Sequence, residues 1–413
     1  PYRFANVPIL NQLHTEWIPW GLYFTMRYAR TTQMRHAISM ATVIVVQVWF
    51  GWYYAYYLAI AMVLTLLVAR PSGLATTSPW QPKVLAVAAA LALVAIAPVL
   101  VPYLQQRMAV PEMRRSLGES ALYSADLLDY VRTVPGLLGG RLPWALTGEQ
   151  SYWPGLVTIL LGSLGFVNAW RPARRLARIP IVITATGFVL SLGPILHVAG
   201  HAIRIPLPYA LLYYVIPGAS GMRAPARLAV LVVLGASVLA GVGYESLRRI
   251  LGGRMRPLAA TGILLIMLAG SIDFSLAPVE LPRPEILAPI YRDLASLPGH
   301  EPVLEIPVPA TEADENPKHA LRQYAALFHG KPRLDGVSGF VTPRYRHFRK
   351  SLQAFPADSA LSMASSFGAR WVVVHYADEV LPRPDRLAGQ VAMATRLRLV
   401  AREGSDVLYR LEP

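Results

Sequence analysis

Long apolar stretches occupy most of the chain before Val279 and predict membrane-spanning helices. A helix needs about 20 mainly apolar residues to cross a bilayer. The stretch Ala37–Ala69 contains no charged residue, and at ~1.5 Å per residue it is too long for a single span. Gly51 lies in its middle among Trp and Tyr residues, which predicts two spans joined by a tight hairpin in an aromatic belt. With this pair, about eight spans are expected; the others are Val7–Met26, Val84–Leu104, Ser151–Trp170, Ile179–Val198, Leu228–Tyr244 and Pro257–Ile272.

From Val279 onwards the pattern changes to short strands and amphipathic helices. Runs of branched apolar residues predict buried strands, and segments with one polar face predict helices. These patterns indicate a mostly α fold. A polytopic transmembrane helix bundle of about eight spans (residues 1–278, with an outer loop at 105–152) precedes a small extracytoplasmic α/β domain (residues 279–413). The predicted elements of that domain are the strands Pro302–Val308 and Arg370–Tyr376, the helices Glu315–Phe328 and Asp358–Phe367 (capped by Asp358), and a hairpin of Leu397–Arg402 and Val407–Leu411.

The distribution of charge predicts the orientation of the spans. Hydrophobic residues make up 54% of the chain and charged residues 15%, and the formal net charge is +15. This composition excludes a disordered chain and is atypical of a purely soluble enzyme. Four basic segments without Asp or Glu alternate with the predicted spans, so we expect them to be cytoplasmic and everything after Ile272 to be extracytoplasmic. These segments are Arg27–Arg35, Arg70–Lys83, Arg171–Arg178 and Arg248–Arg256.

Two further features limit the chemistry and the partners. The chain contains no cysteine, which excludes disulfides, a thiol nucleophile and a cysteine-built metal site. The C-terminal domain is nearly charge-balanced and predicted to lie outside the cytoplasm, so nucleic acid is not an expected partner. The chain begins at Pro1 within sequence that already looks membrane-embedded, and we interpret it as a fragment of a longer protein.

The long outer loop Gln105–Tyr152 carries a pair of carboxylates, Asp126 and Asp129. Three residues apart on a helix, they would share a face. Such a pair can act as a general base with an electrostatic partner, or bind a divalent metal ion. The alternative is a solvated interfacial helix whose acids pair with Arg115 or Arg132.

The segment Pro217–Arg227 is rich in Gly and Pro and leads into a predicted span. It places Arg223 and Arg227 at the outer membrane boundary, against the positive-inside bias. Guanidinium groups match phosphate with bidentate hydrogen bonds, so an anionic headgroup or a diphosphate is a natural ligand. The alternative is that both side chains snorkel to lipid headgroups.

Two pairs of residues that contain histidine are candidates for function. His14 and Glu16 lie at the outer end of the first predicted span, where ionisable groups mark candidate sites for substrate binding or catalysis. His197 and His201 have a spacing that permits a shared metal ion, but no third ligand accompanies them, and interfacial histidines are the simpler interpretation.

The C-terminal domain has no nucleotide-binding signature. Its loop at His329–Pro332 fits a turn that positions the domain. The basic run Arg344–Lys350 can rest on anionic lipid.

Four local patterns together resemble the C-type glycosyltransferase superfamily of bacterial polytopic membrane proteins. They are Thr15–Trp20, Gly51–Ala55, Arg223–Arg227, and the strand Val303–Pro307 followed by His329–Pro332. The resemblance implies transfer of a sugar from a polyprenyl-phosphate donor to an envelope glycan, lipid or protein acceptor at the outer membrane face. It also implies that Arg223 and Arg227 bind the lipid phosphate and that the Gln105–Tyr152 loop walls the acceptor cavity.

The family's catalytic carboxylate usually lies in a first outer loop that we expect to precede Pro1. No position here therefore inherits that role, and Glu16, Asp126 and Asp129 remain candidates, with His14 a further candidate for substrate binding. Two other functions stay open: a transporter or flippase for a lipid-linked glycan, and a non-enzymatic membrane assembly protein.

Overall fold

The structure, a computed structural model, forms two compact units, Pro1–Val279 and Glu280–Pro413. The sequence predicts the division after residue 278. The residues that the structure describes are 14–69, 81–110, 115–132, 151–169, 178–216, 218–250, 261–262, 265, 268, 288–309, 317–336, 342–378, 381 and 383–412. The expected span Pro257–Ile272 and the middle of the Gln105–Tyr152 loop therefore lie mostly outside the described residues.

The first unit is mostly helical. Within its described residues, three helices are long and apolar enough to cross a membrane: Trp52–Ala69, Pro82–Met108 and Pro225–Ile250. The set of about eight spans is not confirmed, because the other described apolar helices are shorter. The α-helices are α1 (Trp17–Thr31), α2 (Met34–Phe50), α3 (Trp52–Ala69), α4 (Pro82–Ala109), α5 (Leu117–Leu122), α6 (Leu156–Ala169), α7 (Arg178–Ser191), α8 (Tyr209–Val215) and α9 (Ala229–Ile250).

Two sequence predictions meet different outcomes here. The break at Gly51 is confirmed, because this residue alone separates α2 from α3. The span Ile179–Val198 is wrong at its end: α7 stops at Ser191, and an antiparallel hairpin of β1 (Ile195–Val198) and β2 (His201–Pro206) follows. Gly193 adopts φ +72° at this point, a left-handed conformation that ends a helix.

Helix α9 packs against α6 and α7 through glycines. A Cβ atom at Gly243 would lie 1.9 Å from the Leu161 carbonyl oxygen of α6, and one at Gly235 would lie 2.2 Å from Thr184 Oγ1 of α7. Glycine is therefore the residue that lets these backbones meet. Small residues at such contacts are typical of helix packing in membranes, where close van der Waals contact drives association.

The second unit is a four-stranded sheet with helices on both faces. The strand order is β3-β4-β6-β5; the β3–β4 pair is parallel and the other two pairs are antiparallel. One face of the sheet packs against α12, α13 and α14, and the other face packs against α10 and α11. The elements are α10 (Ile290–Ser296), β3 (Val303–Ile306), α11 (Pro317–His329), α12 (Pro343–Leu352), α13 (Asp358–Ser366), β4 (Trp371–His375), α14 (Pro384–Met393), β5 (Leu397–Glu403) and β6 (Asp406–Leu411).

The two predicted strands, the two predicted helices and the C-terminal hairpin of this unit are confirmed. The capping role of Asp358 is wrong, since Ala357 occupies the N-cap of α13 and Asp358 lies in the first turn.

Candidate functional site

The ends of several helices in the first unit meet in one group of contacts. The His14 ring lies 4.6 Å from the Phe50 ring at the end of α2. Trp52, at the start of α3, stacks on Tyr103 of α4 at 5.8 Å. Because residues 50–53 bracket the Gly51 break, the contacts of Phe50 and of Trp52 belong to the same end of the α2–α3 pair. This is the end at which the sequence places Arg223 and Arg227.

Arg223 is held by an acid and an aromatic ring. Its Nε lies 3.1 Å from Glu119 Oε1, and its guanidinium lies 4.2 Å from the centre of the Tyr123 ring, whose hydroxyl it also contacts. Arg115 approaches the same Glu119 oxygen at 2.9 Å. Two guanidinium groups therefore share one carboxylate, and this group of three keeps a net positive charge.

Arg227 and the segment around it are fixed by tyrosines of α3. The Arg227 guanidinium lies 4.7 Å from the centre of the Tyr53 ring, and the Tyr53 hydroxyl accepts a hydrogen bond from the Arg223 backbone N–H at 3.2 Å. Tyr57 donates to the Ala224 carbonyl at 3.3 Å. The polar backbone of this irregular segment thus finds partners next to apolar helices, as buried backbone must.

Arg107 completes a group that we name the basic cluster: Arg107, Arg115, Arg223 and Arg227. Arg107 Nη2 donates to Ser220 Oγ at 2.8 Å, and the Arg115 backbone N–H donates to the Ser220 carbonyl at 3.1 Å. All four arginines therefore lie on or beside the segment 218–228. Arg223 is one quarter exposed, so a ligand can reach it. Fixed guanidinium groups of this kind suit the oxygens of a phosphate or diphosphate.

His14 and Glu16 form a hydrogen-bonded pair beside the Gly51 break. His14 Nδ1 lies 3.0 Å from Glu16 Oε1, and both side chains are nearly half exposed. The His14 carbonyl accepts a hydrogen bond from Gln47 of α2 at 3.0 Å. The pair is therefore anchored and open to solvent, as an acid–base pair requires.

The Asp126–Asp129 pair has a structural position. Asp126 caps the 3₁₀ turn Leu127–Tyr130 and Asp129 lies within that turn, so the pair does not share an α-helical face as expected. The Asp126 carboxylate accepts hydrogen bonds from the backbone N–H groups of Leu128, Ala199 and Gly200 at 2.7–3.0 Å. Partial burial opposes its ionisation, but these N–H groups outweigh burial and lower the pKa of Asp126.

Asp129 is less accessible than Asp126. It is 6% exposed, and its Oδ2 accepts the Asp126 backbone N–H at 2.9 Å. Burial raises the pKa of Asp129. Arg132 Nη1 lies 3.8 Å from its other carboxylate oxygen, whereas Arg115, the other pairing partner considered from sequence, pairs with Glu119.

The structure places His197 and His201 in a hairpin and gives Lys331 of the His329–Pro332 turn a structural role. His197 is on β1 and His201 on β2, in neighbouring pairs of the hairpin. Across the described part of the chain, no three His, Asp or Glu residues are grouped as metal ligands. In the His329–Pro332 turn, buried Lys331 donates to the carbonyls of Leu297 and Gly299 at 2.9 and 2.8 Å.

The partners of the basic cluster carry no signal in the sequence. Glu119 and Tyr123 are far from Arg223 in the chain, and Arg107 belongs to α4, which continues through the predicted start of the outer loop. Tyr53 was visible only as a member of the aromatic belt. Contacts between distant segments leave no local signal in a single sequence.

A second charged cluster, in the second unit, also escaped prediction. Glu305 of β3 is completely buried; its Oε2 accepts from Tyr291 at 2.7 Å and lies 3.1 Å from His375 Nε2, and its Oε1 lies 2.6 Å from Arg333 Nε. His375 Nδ1 lies 2.9 Å from Asp406. Burial disfavours the Glu305 anion, yet His375 and Arg333 hold its pKa below the usual range.

Arg322 of α11 joins this second cluster to another acid. It lies 2.5 Å from Asp378 through Nη2 and donates to the Pro307 carbonyl at 3.0 Å through Nη1. We name Tyr291, Glu305, Arg322, Arg333, His375, Asp378 and Asp406 the buried network. Each acid of the network lies within 4 Å of a basic group of the same unit, so the loss of one member of a buried pair would leave a buried charge without its partner.

The chain matches no model of a known protein family and no curated protein sequence.

Proposed function

We propose that the chain is an integral membrane protein of the C-type glycosyltransferase kind, which transfers a sugar from a polyprenyl-phosphate donor to an envelope acceptor at the outer membrane face. The observation that carries the proposal is the basic cluster at one end of apolar helices. The resemblance of the local sequence patterns to this superfamily supports the same function. The lipid bilayer, a lipid-linked sugar and a glycan, lipid or protein acceptor are the partners that this function requires.

The basic cluster has the chemistry that sugar transfer needs at the leaving group. When the bond between sugar and phosphate breaks, negative charge grows on the phosphate oxygens, and preorganised cations stabilise that charge. Arg223 is fixed by Glu119 and Tyr123, and Arg227 by Tyr53, so neither guanidinium needs to be ordered when the donor binds. Aromatic stacking of this type adds to the rigidity.

Glu16 is the described carboxylate that best suits the general base. A base must reach the acceptor hydroxyl, and Glu16 is nearly half exposed beside His14. Asp126 is occupied by backbone N–H groups, and Asp129 is buried. His14 can orient Glu16 or take up the proton that it removes from the acceptor.

The test compares two double variants, one that removes two arginines before the start of α9 and one that removes two arginines at its end. Arg223→Ala with Arg227→Ala is expected to lower donor affinity about 10-fold or more for each guanidinium lost, because a hydrogen bond to a charged group contributes about 1.5–3 kcal/mol. Arg248→Ala with Arg249→Ala is the matched control: it removes the same charge from exposed residues at the far end of the helix. Sugar transfer and donor binding are measured in full-length protein, and equal values for the two variants contradict the proposal.

A second function, binding of the lipid-linked sugar without transfer, is favoured by the structural roles of Asp126 and Asp129. Glu16→Gln separates the two functions. A transferase loses turnover and keeps donor binding in this variant. A protein that only carries or assembles the lipid-linked sugar shows no transfer before or after the change.

A further inference from the structure

The corner between α1 and α2 concentrates positive charge at the opposite end of α2 from the basic cluster. Helix α2 runs from Met34 to Phe50, which puts ~25 Å between its two ends. Three arginines lie at the corner, Arg27 and Arg30 in α1 and Arg35 in α2. Helices α1, α2 and α4 contain no Asp or Glu, so the positive charge is not balanced within them.

The N-termini of two helices lie at this corner. The Tyr28 hydroxyl of α1 donates to the carbonyl of Gln81, the residue that precedes α4, at 3.2 Å. Helices α2 and α4 run in the same direction, because Val48, far along α2, packs in one cluster with Ile96, far along α4. Neither helix has a side-chain cap. Each N-terminus carries about half a unit of positive charge on its unpaired N–H groups, which adds to that of the arginines.

The first N–H groups of α2 are available to a ligand. Gln33 occupies the N-cap position, but its side-chain carbonyl accepts a hydrogen bond from Arg35 Nε at 2.7 Å and does not cap the helix. The His36 backbone N–H donates to the Gln33 carbonyl at 3.0 Å. Within the described part of the chain, the backbone N–H groups of Met34 and Arg35 have no hydrogen-bond partner.

The C-terminus of α1, whose carbonyl groups would repel an anion, is satisfied by its own residues. The Thr32 backbone N–H donates to the Tyr28 carbonyl at 2.8 Å, and the Thr31 hydroxyl donates to the Arg27 carbonyl at 2.9 Å. The negative end of α1 therefore faces its own donors.

Two buried nitrogen atoms at the corner lack a partner. His36 is 8% exposed, and neither its Nε2 nor Arg27 Nε has a hydrogen-bond partner among the described residues. His36 is the third residue of α2, and helical side chains tilt toward the N-terminus, so its ring is directed at the unpaired N–H groups. The charges of Arg27 and Arg35 reach this ring. Because a buried donor without an acceptor is destabilising, an anion at this position would satisfy both nitrogen atoms.

We infer that the α1–α2 corner binds a phosphate group through Arg27, His36 and the backbone N–H groups of Met34 and Arg35. Helix N-termini and guanidinium groups are standard phosphate ligands in proteins. The phosphate has two sources, the headgroup of an anionic phospholipid and a soluble phosphate ion, which present the same oxygens. The length of α2 separates this site from the basic cluster, so the inference does not depend on sugar transfer.

Binding is measured on the full-length protein with two probes. Native mass spectrometry detects phosphatidylglycerol retained by the detergent-solubilised protein, with phosphatidylcholine as the zwitterionic control. Isothermal titration measures binding of inorganic phosphate, with chloride at equal ionic strength as the control. Arg27→Gln removes one guanidinium from the corner. Arg248→Gln is the matched control, because it removes one guanidinium from an exposed residue that pairs with Glu245.

Arg27→Gln is expected to weaken binding about 10-fold or more, and Arg248→Gln to leave it unchanged. Binding of phosphatidylglycerol alone assigns the site to a lipid headgroup, and binding of inorganic phosphate alone assigns it to a soluble ion. Competition between the two probes shows that the site recognises phosphate in either molecule. If neither probe binds, or if Arg27→Gln leaves binding unchanged, the inference is overturned.

Hydrogen exchange of the unmodified protein gives a second readout that needs no variant. A bound phosphate accepts the N–H groups of Met34 and Arg35, so peptides that cover residues 30–40 should exchange severalfold more slowly with the probe present. Peptides that cover the exposed end of α9 around Arg248 serve as the internal control. Equal exchange at residues 30–40 with and without the bound probe also overturns the inference, even where Arg27→Gln fails to fold.

Discussion

Removal of the Glu305 charge is the sharpest test of the buried network. Glu305→Gln keeps the size of the side chain and removes its negative charge. The pair most affected is Glu305–Arg333, because Arg333 Nε lies 2.6 Å from the carboxylate whereas Arg322 retains Asp378 and His375 retains Asp406. The variant therefore leaves mainly one buried guanidinium without its acid.

The structure allows the size of this effect to be worked out. Breaking a buried ion pair by removing one partner destabilises a protein by about 3–5 kcal/mol. Both side chains of the pair are at most 6% exposed, so solvent screens little of this. A loss of about 3 kcal/mol in the free energy of local opening accelerates amide exchange by roughly two orders of magnitude.

Hydrogen exchange of the full-length protein measures this opening directly. Peptides that cover Val303–Ile306 and Trp371–His375 are expected to lose protection in Glu305→Gln. Glu403→Gln, at an exposed position on β5, is the matched control and should leave protection unchanged. In the double variant Glu305→Gln with Arg333→Gln, part of the protection should return, since no unpaired charge remains. Unchanged exchange in the single variant would refute the reasoning.

Three further predictions follow from other contacts. His375 is buried, which disfavours its cation, but Asp406 and Glu305 outweigh burial and raise its pKa. The stability that protonated His375 contributes is complete below pH ~6.5 and is lost as the pH rises through the higher pKa of the folded state. The stability that ionised Glu305 contributes is complete above pH ~4.5 and is lost as the pH falls through the lower pKa of the folded state. Protection factors of β3 and β4, corrected for intrinsic exchange, should therefore peak in the mildly acidic range, and a flat profile contradicts this assignment. Gly243→Ala should destabilise the α6–α9 contact by about 1–3 kcal/mol, while Gly241→Ala, which meets open space on the same helix, should not; equal thermal stability of the two variants in detergent would show that the glycine contact is unimportant. Asp126→Ala should speed amide exchange at Ala199 and Gly200 and leave donor binding unchanged, and a loss of binding without faster exchange would assign Asp126 a direct role.

Local sequence patterns predicted those elements that depend on residues close together in the chain. The branched runs around Val303 and Val373 predicted two strands, and Gly404 with its neighbours predicted the hairpin between β5 and β6. The break at Gly51 followed from a span that was too long. The β1–β2 hairpin was missed because Ile195–Val198 continues the apolar run of α7, and hydropathy alone does not distinguish a short apolar strand from a helix.

Sites built from distant segments could be predicted only in part. The position of Arg223 and Arg227 before a span was enough to select them, but Glu119, Tyr53 and Arg107 reach them through the packing of other helices. Periodicity also predicted that α11 has two faces without indicating which one is buried. That depended on residues distant in the chain, because Asp378 and the Pro307 carbonyl bind Arg322 on the inner side of α11.

The glycine contacts of α9 also fix the number of residues between Gly235 and Gly243. Gly235 faces α7 and Gly243 faces α6, and eight residues at 100° per residue place these two contacts about 80° apart around the axis. One inserted residue between them would change this angle to about 180° and turn one glycine away from its partner. Substitutions at outward positions between them are expected to be tolerated. A single insertion or deletion between them is expected to disrupt the packing of α9 on α6 and α7.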